Sequence, residues 1–566
     1  MASISSSVSR WVPGITSIQS YRREWLRSDI VAGIVLAAIL VPQGMAYAEL
    51  AGLPAVTGLY TTIACLVGYA VFGPSRVLVL GPDSSVSPLI FAAIMPLVVT
   101  DDPTSAVVLA GMLAVLVGLI EIGLGIGKLG FVADLLSSEV QVGYMNGLAI
   151  TIIVGQLPKL FGFSTDADSF LGEIRAFVDG IGSTNGATLA IGASALLVLF
   201  LLPLVTRRVP AVLVAVVGTT IASALLGLAE RGVDTVGTLP QGIPAPSLPW
   251  TSFSDVGPLV VAAVGIVLVS LTDTIATASS FAARRGDELK PNQEMIGMGA
   301  ANVAAGFFGG FAISTSGSRT AVAEQSGARS QLTGVVGAGL VAVLLLLLNG
   351  LLTDLPQSVL AAVVIAAAVS LTNVGAVRQY ARVRPSSLLL SLVATLGVVA
   401  LGVLPGIVLA IVLAVLLFFR RNWWPHGAVL GRSPGGEWHA VADHDDTTEV
   451  DGVVVYRWEA PLFFANAGAF RQQIRKLVRE RSPGWVVIQC EAITDIDVTA
   501  AELLEQLDVE LNEAGIHLAF VELRSRLARL VQRYGLFETL DRDHFYPSIE
   551  AALAAIEDAG RPDGDA

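Results

Sequence analysis

With 566 residues, 54% of them hydrophobic and only 14% charged, and a mean hydropathy of +0.71, the chain falls outside the ordinary soluble class and reads as a polytopic membrane protein. The formal charge of −13 is lopsided: residues 1–421 hold 22 acids and 21 bases, whereas residues 422–566 hold 25 acids and 13 bases. Two kinds of polypeptide are therefore joined near residue 422, and the acidic second part argues against nucleic acid as a partner.

Residues 1–29 carry Arg10, Arg22, Arg23 and Arg27 among Trp11, Tyr21 and Trp25. That mixture suits a cytoplasmic membrane interface over residues 15–29, with disorder before it, and lacks the apolar stretch of a cleavable signal peptide. Apolar segments then follow almost without pause. At about 20 residues per span they number about fourteen. The first seven fall near 30–49, 54–73, 84–98, 105–125, 131–158, 187–206 and 210–229. The second seven fall near 257–283, 291–310, 318–330, 332–353, 356–372, 386–403 and 404–422.

Charge supports that division. With the N-terminus in the cytoplasm, every even-numbered segment ends inside. Those ends carry Arg76, Lys128, Arg207, Arg208, Arg284, Arg285, Lys290, Arg329, Arg378, Arg382, Arg384, Arg420 and Arg421. The outer loops keep Lys159, Arg175 and Arg231 and are otherwise acidic, with Asp101, Asp102, Asp166, Asp168, Glu230 and Asp234. The bias places the acidic C-terminal part in the cytoplasm. An odd number of spans repeated means two halves of opposite orientation, the inverted-repeat plan of many secondary transporters.

The third segment of each half is interrupted. In the first half the interruption is Val79-Leu80-Gly81-Pro82-Asp83-Ser84-Ser85-Val86-Ser87-Pro88, where Ser84 or Ser85 can cap a short helix. In the second it is Gly309-Gly310-Phe311-Ala312-Ile313-Ser314-Thr315-Ser316-Gly317-Ser318-Arg319-Thr320, where Gly317 breaks the chain and Ser318 can cap the helix that follows. Lipid offers a loose backbone no partners, so such runs exist only where protein encloses them or where they line a cavity. Paired interruptions are the best sequence pointer to a transporter's binding site. The half-helix N-termini and Arg319 favour an anion, and intramembrane charge is costly and usually functional. Asp83, beside this site, must pair with Arg319, carry a proton or face away.

Polar residues also sit at depth in the first segment, Pro42-Gln43-Gly44-Met45-Ala46-Tyr47-Ala48-Glu49, and in the eighth, where Asp273 and Thr277 are four apart and share one helical face. A carboxylate with a hydroxyl there suits a cation or a proton. The structural alternative is an aspartic acid permanently protonated against a neighbouring helix. Small residues fill Gly297-Met298-Gly299-Ala300-Ala301-Asn302-Val303-Ala304-Ala305-Gly306, which permits tight helix packing.

Past residue 422 the pattern changes. Residues 423–448 read as a turn-rich linker. Strands at Val453–Trp458, Trp485–Cys490 and His517–Val521 then alternate with helices at Ala467–Arg479, Ala500–Ala514, 524–534 and 547–559, giving a small α/β domain. Cys65 and Cys490 lie in different domains, which argues against a disulfide. His426, His439, His444, His517 and His544 lack ligand spacing, and no nucleophile–base pair appears, so neither a metal, a cofactor nor an enzyme is expected.

The motifs resemble one family. Pro42-Gln43-Gly44-Met45-Ala46-Tyr47-Ala48, Pro54-Ala55-Val56-Thr57-Gly58-Leu59-Tyr60 with Gly73-Pro74-Ser75-Arg76, Asn292-Gln293-Glu294, Gly306-Phe307-Phe308-Gly309-Gly310 and Ser318-Arg319-Thr320 are similar to the sulfate permease (SulP) family of inorganic anion transporters. The tail, through Pro461-Leu462-Phe463-Phe464-Ala465-Asn466 and Asp495-Ile496-Asp497-Val498-Thr499-Ala500, resembles the STAS domain these permeases commonly carry.

The resemblance implies a cytoplasmic N-terminal segment (1–29), a transmembrane domain of core and gate parts (30–422), a linker (423–448), a STAS domain (449–559) and a disordered tail (560–566). It also implies an elevator-like movement of the core and homodimers in the plasma membrane. By position it assigns Gln43, Tyr47, Ser316, Ser318 and Arg319 to the anion site, to which the interruptions add Ser84, Ser85 and Gly317. It matches Asp273 and Thr277 to a sodium-binding pair of the bicarbonate-transporting branch, while many sulfate-type relatives have glutamate near Asp273. Asp83, with an uncharged counterpart in many relatives, joins the candidates for the coupling ion, Na+ or H+. Val498 stands where related regulators carry a phosphate-accepting serine, which favours dimer stabilisation or a cytoplasmic partner for the STAS domain. The expected function is secondary transport of a small oxyanion such as sulfate. Sodium–bicarbonate symport and a channel-like or signalling STAS protein are the alternatives.

Overall fold

The computed structural model describes residues 12–98, 103–130, 137–165, 167, 169–206, 209–540 and 542–559. The disorder expected near the N-terminus falls mostly outside that range, as do Arg10, Trp11, Asp101, Asp102, Asp166, Asp168, Arg207, Arg208 and the 560–566 tail. Two units divide the chain, Met1–Ala414 and Val415–Ala566.

Each predicted apolar segment contains a helix. In the first half these are α1 (Leu26–Leu50), α2 (Ala55–Phe72), α3 (Ser87–Ile94), α4 (Pro103–Ile126), α5 (Ser138–Phe161), α6 (Gly186–Val205) and α7 (Ala211–Leu226). In the second they are α8 (Phe253–Arg285), α9 (Pro291–Phe307), α10 (Gly317–Gln325), α11 (Leu332–Leu347), α12 (Gln357–Leu371), α13 (Pro385–Leu401) and α14 (Val403–Trp423). α3 and α10 are half-helices, each led in by a two-residue strand, β1 (Leu80–Gly81) and β2 (Ser314–Thr315). Besides the short N-terminal helix Pro13–Gln19, two surface helices, Phe170–Gly180 and Val374–Val383, are additional. They are short and amphipathic, so an average of hydropathy over a full span passes them by.

The helices sort into two bundles. α1, α2, α4, α8, α9 and α11 pack on one another and enclose the half-helices, while α5, α6, α7, α12 and α13 pack among themselves; α1 meets α12 and α7 between the two. This is the core-and-gate division of an inverted-repeat transporter. Glycine permits close helix approaches inside the core. Gly118 of α4 faces Gly299 of α9, and a Cβ on either would lie 2.5 Å from the other's carbonyl oxygen. One heptad away, a Cβ on Gly306 would lie 2.5 Å from Gly111 O, and in the other direction one on Gly125 would lie 2.6 Å from Asn292 O. The seven-residue spacing keeps these glycines on one face of each helix, so the antiparallel pair touches backbone to backbone. At the base of α1, buried Asp29 accepts from the Arg329 N–H at 2.7 Å, the Ser330 hydroxyl at 2.7 Å and the Thr333 hydroxyl at 3.1 Å. That buried carboxylate ties α1 to the start of α11.

In the second unit six strands order as β4-β3-β5-β6-β7-β8: β3 (Gly427–Arg432), β4 (Trp438–Ala440), β5 (Val453–Trp458), β6 (Trp485–Gln489), β7 (His517–Val521) and β8 (Phe545–Tyr546). β5 to β8 are parallel, with α15 (Ala467–Arg481) and α16 (Val498–Glu513) among the helices between them. β3 and β4 lie inside the stretch that reads as a linker, because their glycines and the intervening Pro434-Gly435-Gly436 mask a short antiparallel hairpin. Asp497 serves structure here: its carboxylate caps α16 through the Ala500 N–H at 2.8 Å and accepts the Phe464 N–H at 2.8 Å.

Candidate functional site

The two interruptions meet. β1 pairs antiparallel with β2, Leu80 opposite Thr315 and Gly81 opposite Ser314. Ser316 N–H adds a bond to Val79 O at 3.2 Å, and Val79 N–H donates to the Thr320 hydroxyl at 3.1 Å. Each break thus satisfies backbone groups that a continuous helix would have satisfied itself. α10 begins at Gly317, just past β2, and α3 at Ser87, six residues past β1.

The caps differ from expectation at both ends. Neither Ser84 nor Ser85 caps α3. Asp83 Oδ1 takes the Ser85 N–H at 3.0 Å and its hydroxyl at 2.9 Å, forming an Asx-type turn that delays the helix to Ser87. At α10 the cap is Ser316 rather than Ser318; its Oγ accepts the Arg319 N–H at 3.4 Å, because pairing of β2 leaves Ser316 extended and lets the helix begin at Gly317. Ser318 lies in the first turn, its hydroxyl 3.0 Å from that of Ser316. Gly317 and Ser318 are exposed and Ser316 is half-buried, so this helix start is accessible.

Arg319 is not accessible. It is 1% exposed and turned back toward β1. Nη1 donates to Pro82 O at 2.6 Å and Nη2 lies 3.2 Å from Asp83 Oδ2, while Nε has no acceptor. Of the three arrangements open to Asp83, the structure has the ion pair. Gly81 leaves room beside it, since a Cβ there would stand 2.9 Å from Arg319 Nη1.

The remaining candidates gather round this pair. Tyr47 is buried, with its phenol beside Ser84 and within electrostatic reach of Asp83 and Arg319. Gln43, one turn earlier on α1, is half-buried and has no hydrogen-bond partner among the described residues. Ser84 and Ser85 are buried. Asp273 on α8 is half-buried and faces the Ser85 hydroxyl, within electrostatic reach of Asp83 and Arg319. Thr277, a turn on, comes close to the helix start: a Cβ on Gly317 would lie 3.8 Å from its hydroxyl.

Three further residues join the site that the sequence reading passes over. Tyr144 of gate helix α5 donates to Ser85 O at 2.8 Å. Glu121, fully buried on α4, accepts from Ser270 at 3.0 Å and from Asn302 at 2.8 Å, and Asn302 Oδ1 accepts the Ile313 N–H at 2.9 Å just ahead of β2. A lone acid in the apolar run 105–125 is itself the signal for Glu121. The described residues contain no cluster of His, Cys, Asp and Glu able to hold a metal.

Residues 26–394 match the profile of the sulfate permease family, and residues 446–552 match the STAS domain. The chain belongs to the sulfate permease family. It is therefore a multi-pass membrane protein of an anion-transporting family, not an enzyme. A probable sulfate transporter of Mycobacterium tuberculosis is 39% identical over 550 residues, covering 96% of this chain and 98% of that protein. Sulfate transporter 4.1, chloroplastic, of Arabidopsis thaliana is 28% identical, over 95% of this chain and 81% of that one. Human solute carrier family 26 member 6 is 31% identical over 80% of this chain and 63% of its own. In fold, the murine solute carrier 26 family member A9 anion transporter in its inward-facing state superposes with TM-score 0.89 at 23% identity, over 98% of this chain and 95% of that one. The transmembrane domain of the cyanobacterial bicarbonate transporter BicA superposes with TM-score 0.61 at 23% identity, over 70% of this chain and 98% of that one.

Proposed function

We propose that the protein is a secondary active transporter of a small inorganic oxyanion, sulfate first among them, driven by a proton or sodium gradient. The observation that carries this reading is the joining of the two interrupted segments, with the accessible N-terminus of α10 at Ser316, Gly317 and Ser318 and the Arg319 guanidinium behind it. Dipoles and hydroxyls bind an oxyanion through N–H and O–H donors, while a cation one layer back lends positive potential without a direct clamp. A carrier needs that moderation, because the solute must also leave. Gln43 and Tyr47 complete the anion side; Asp273, with Thr277 or Asp83, holds the coupling ion. The names of the relatives in Mycobacterium tuberculosis and Arabidopsis thaliana favour sulfate.

In this reading the core bundle carries the site past the gate bundle in an elevator movement. The N-terminus and the STAS domain lie in the cytoplasm, and the protein works as a homodimer in the plasma membrane, the STAS domain stabilising the dimer or docking a cytoplasmic partner. A second reading, sodium–bicarbonate symport, draws on the Asp273 carboxylate and Thr277 hydroxyl, an oxygen pair suited to a small hard cation. Radiolabelled sulfate and bicarbonate flux into proteoliposomes under imposed sodium or proton gradients tests both. Saturable sulfate uptake that follows one gradient is expected. Uptake of bicarbonate alone moves the assignment to the second reading, and gradient-independent, non-saturating flux overturns the carrier.

A further inference from the structure

We propose that Asp83 is a proton site that controls the Arg319 guanidinium: its carboxylate and the transported anion compete for one cation, so the anion loads together with a proton on Asp83. The proposal rests on the anion-transport reading of this site and adds the atom at which the proton is held.

Charge arithmetic makes the demand. The titratable and charged groups facing Asp83 are Arg319 from α10, Asp273 from α8, and the phenols of Tyr47 from α1 and Tyr144 from α5. With both carboxylates ionised and both phenols neutral, the group carries one negative charge. A divalent anion brought to the start of α10 meets net repulsion in surroundings where charges interact far more strongly than in water. Neutralising Asp273 with a proton or sodium leaves Arg319 still cancelled by its partner at 3.2 Å. Only neutralising Asp83 frees the positive charge.

The hydrogen bonds say which oxygen is protonated. Oδ1 already accepts both the N–H and the hydroxyl of Ser85, at 3.0 and 2.9 Å. Oδ2 has the guanidinium as its partner. A proton arriving from solvent therefore binds Oδ2 and turns it from acceptor to donor. Two donors then face each other, the Asp83–Arg319 hydrogen bond breaks, and the guanidinium's charge, no longer cancelled, acts on the anion at the start of α10. The Asp83 side chain retains 11% exposure, which gives the proton a way in.

The test is proton uptake on anion binding, measured with full-length protein in lipid nanodiscs, weakly buffered near neutral pH and containing an indicator dye. Sulfate itself does not titrate in that range. Wild-type protein should take up about one proton per sulfate bound, and its apparent affinity should fall roughly tenfold per pH unit on the alkaline side. Asp83→Asn keeps an acceptor for Ser85 and presents an NH2 group to Arg319, so it imitates the protonated state. Its uptake should vanish and its affinity should change less than about twofold per pH unit. Sulfate binding to the wild type without proton uptake overturns the proposal whether or not any variant folds, and undiminished uptake in Asp83→Asn overturns it equally. Absence of sulfate binding at every pH removes the sulfate reading and this proposal with it.

Discussion

Arg319→Ala separates the structural and the transport duties of the buried pair. At 3.2 Å and an effective dielectric of about 20, the Asp83–Arg319 attraction is about 5 kcal/mol. Desolvation offsets much of that, but truncating one partner leaves the other charge buried and alone, which typically costs about 3–5 kcal/mol. Pro82 O loses its 2.6 Å donor as well. The single variant should therefore unfold at clearly lower temperature in detergent and fail to take up sulfate into proteoliposomes. In Arg319→Ala/Asp83→Asn no buried charge is stranded, so most of the stability should return, by about 2 kcal/mol or more, while uptake stays absent. A single variant as stable as wild type refutes the ion pair as drawn. A double variant that transports sulfate refutes the guanidinium's part in binding.

Asp273→Asn should alter the sodium or pH dependence of uptake, and an unchanged profile in both removes Asp273 from coupling. Gly299→Val drives a branched side chain into the α4 backbone, where even a Cβ lies 2.5 Å from Gly118 O; it should destabilise by about 1–3 kcal/mol or more or prevent recovery of folded protein on size exclusion. Gly123→Ala, on α4 itself but with nothing within 4 Å of the added carbon, should leave melting and yield at wild-type values. Deleting residues 449–566 should change oligomeric state or turnover, read by native mass spectrometry and flux, while competition among sulfate, bicarbonate and dicarboxylates keeps its order; a switched preference contradicts that division of labour.

The spans were legible because hydropathy and the lysine–arginine bias act over about 20 residues each. The interruptions stood out because glycine, proline and serine cannot be mistaken for lipid-facing sequence. What escaped is what depends on long-range partners. Asp83 and Arg319 are 236 positions apart, so the sequence left Asp83 with three arrangements and the fold selected one. Ser316 and Ser318 are equally good caps in isolation, and the pairing of β2 decides between them. Glu121 offered a sign, a single acid in an apolar run, but its meaning comes from Ser270 and Asn302 on two other helices. The β3–β4 hairpin was hidden by the same turn residues that make its loop.

The strand pair at the centre has one further consequence. Leu80, Gly81, Ser314 and Thr315 join through main-chain bonds, so this joint is indifferent to most of the side chains it displays. Gly81 is constrained by the guanidinium and Asp83 by its pairing with it, but Ser316 and Ser318 can be exchanged without unpicking the stitch. Such an arrangement lets the ionic preference of the cavity drift over evolutionary time while its geometry is inherited unchanged.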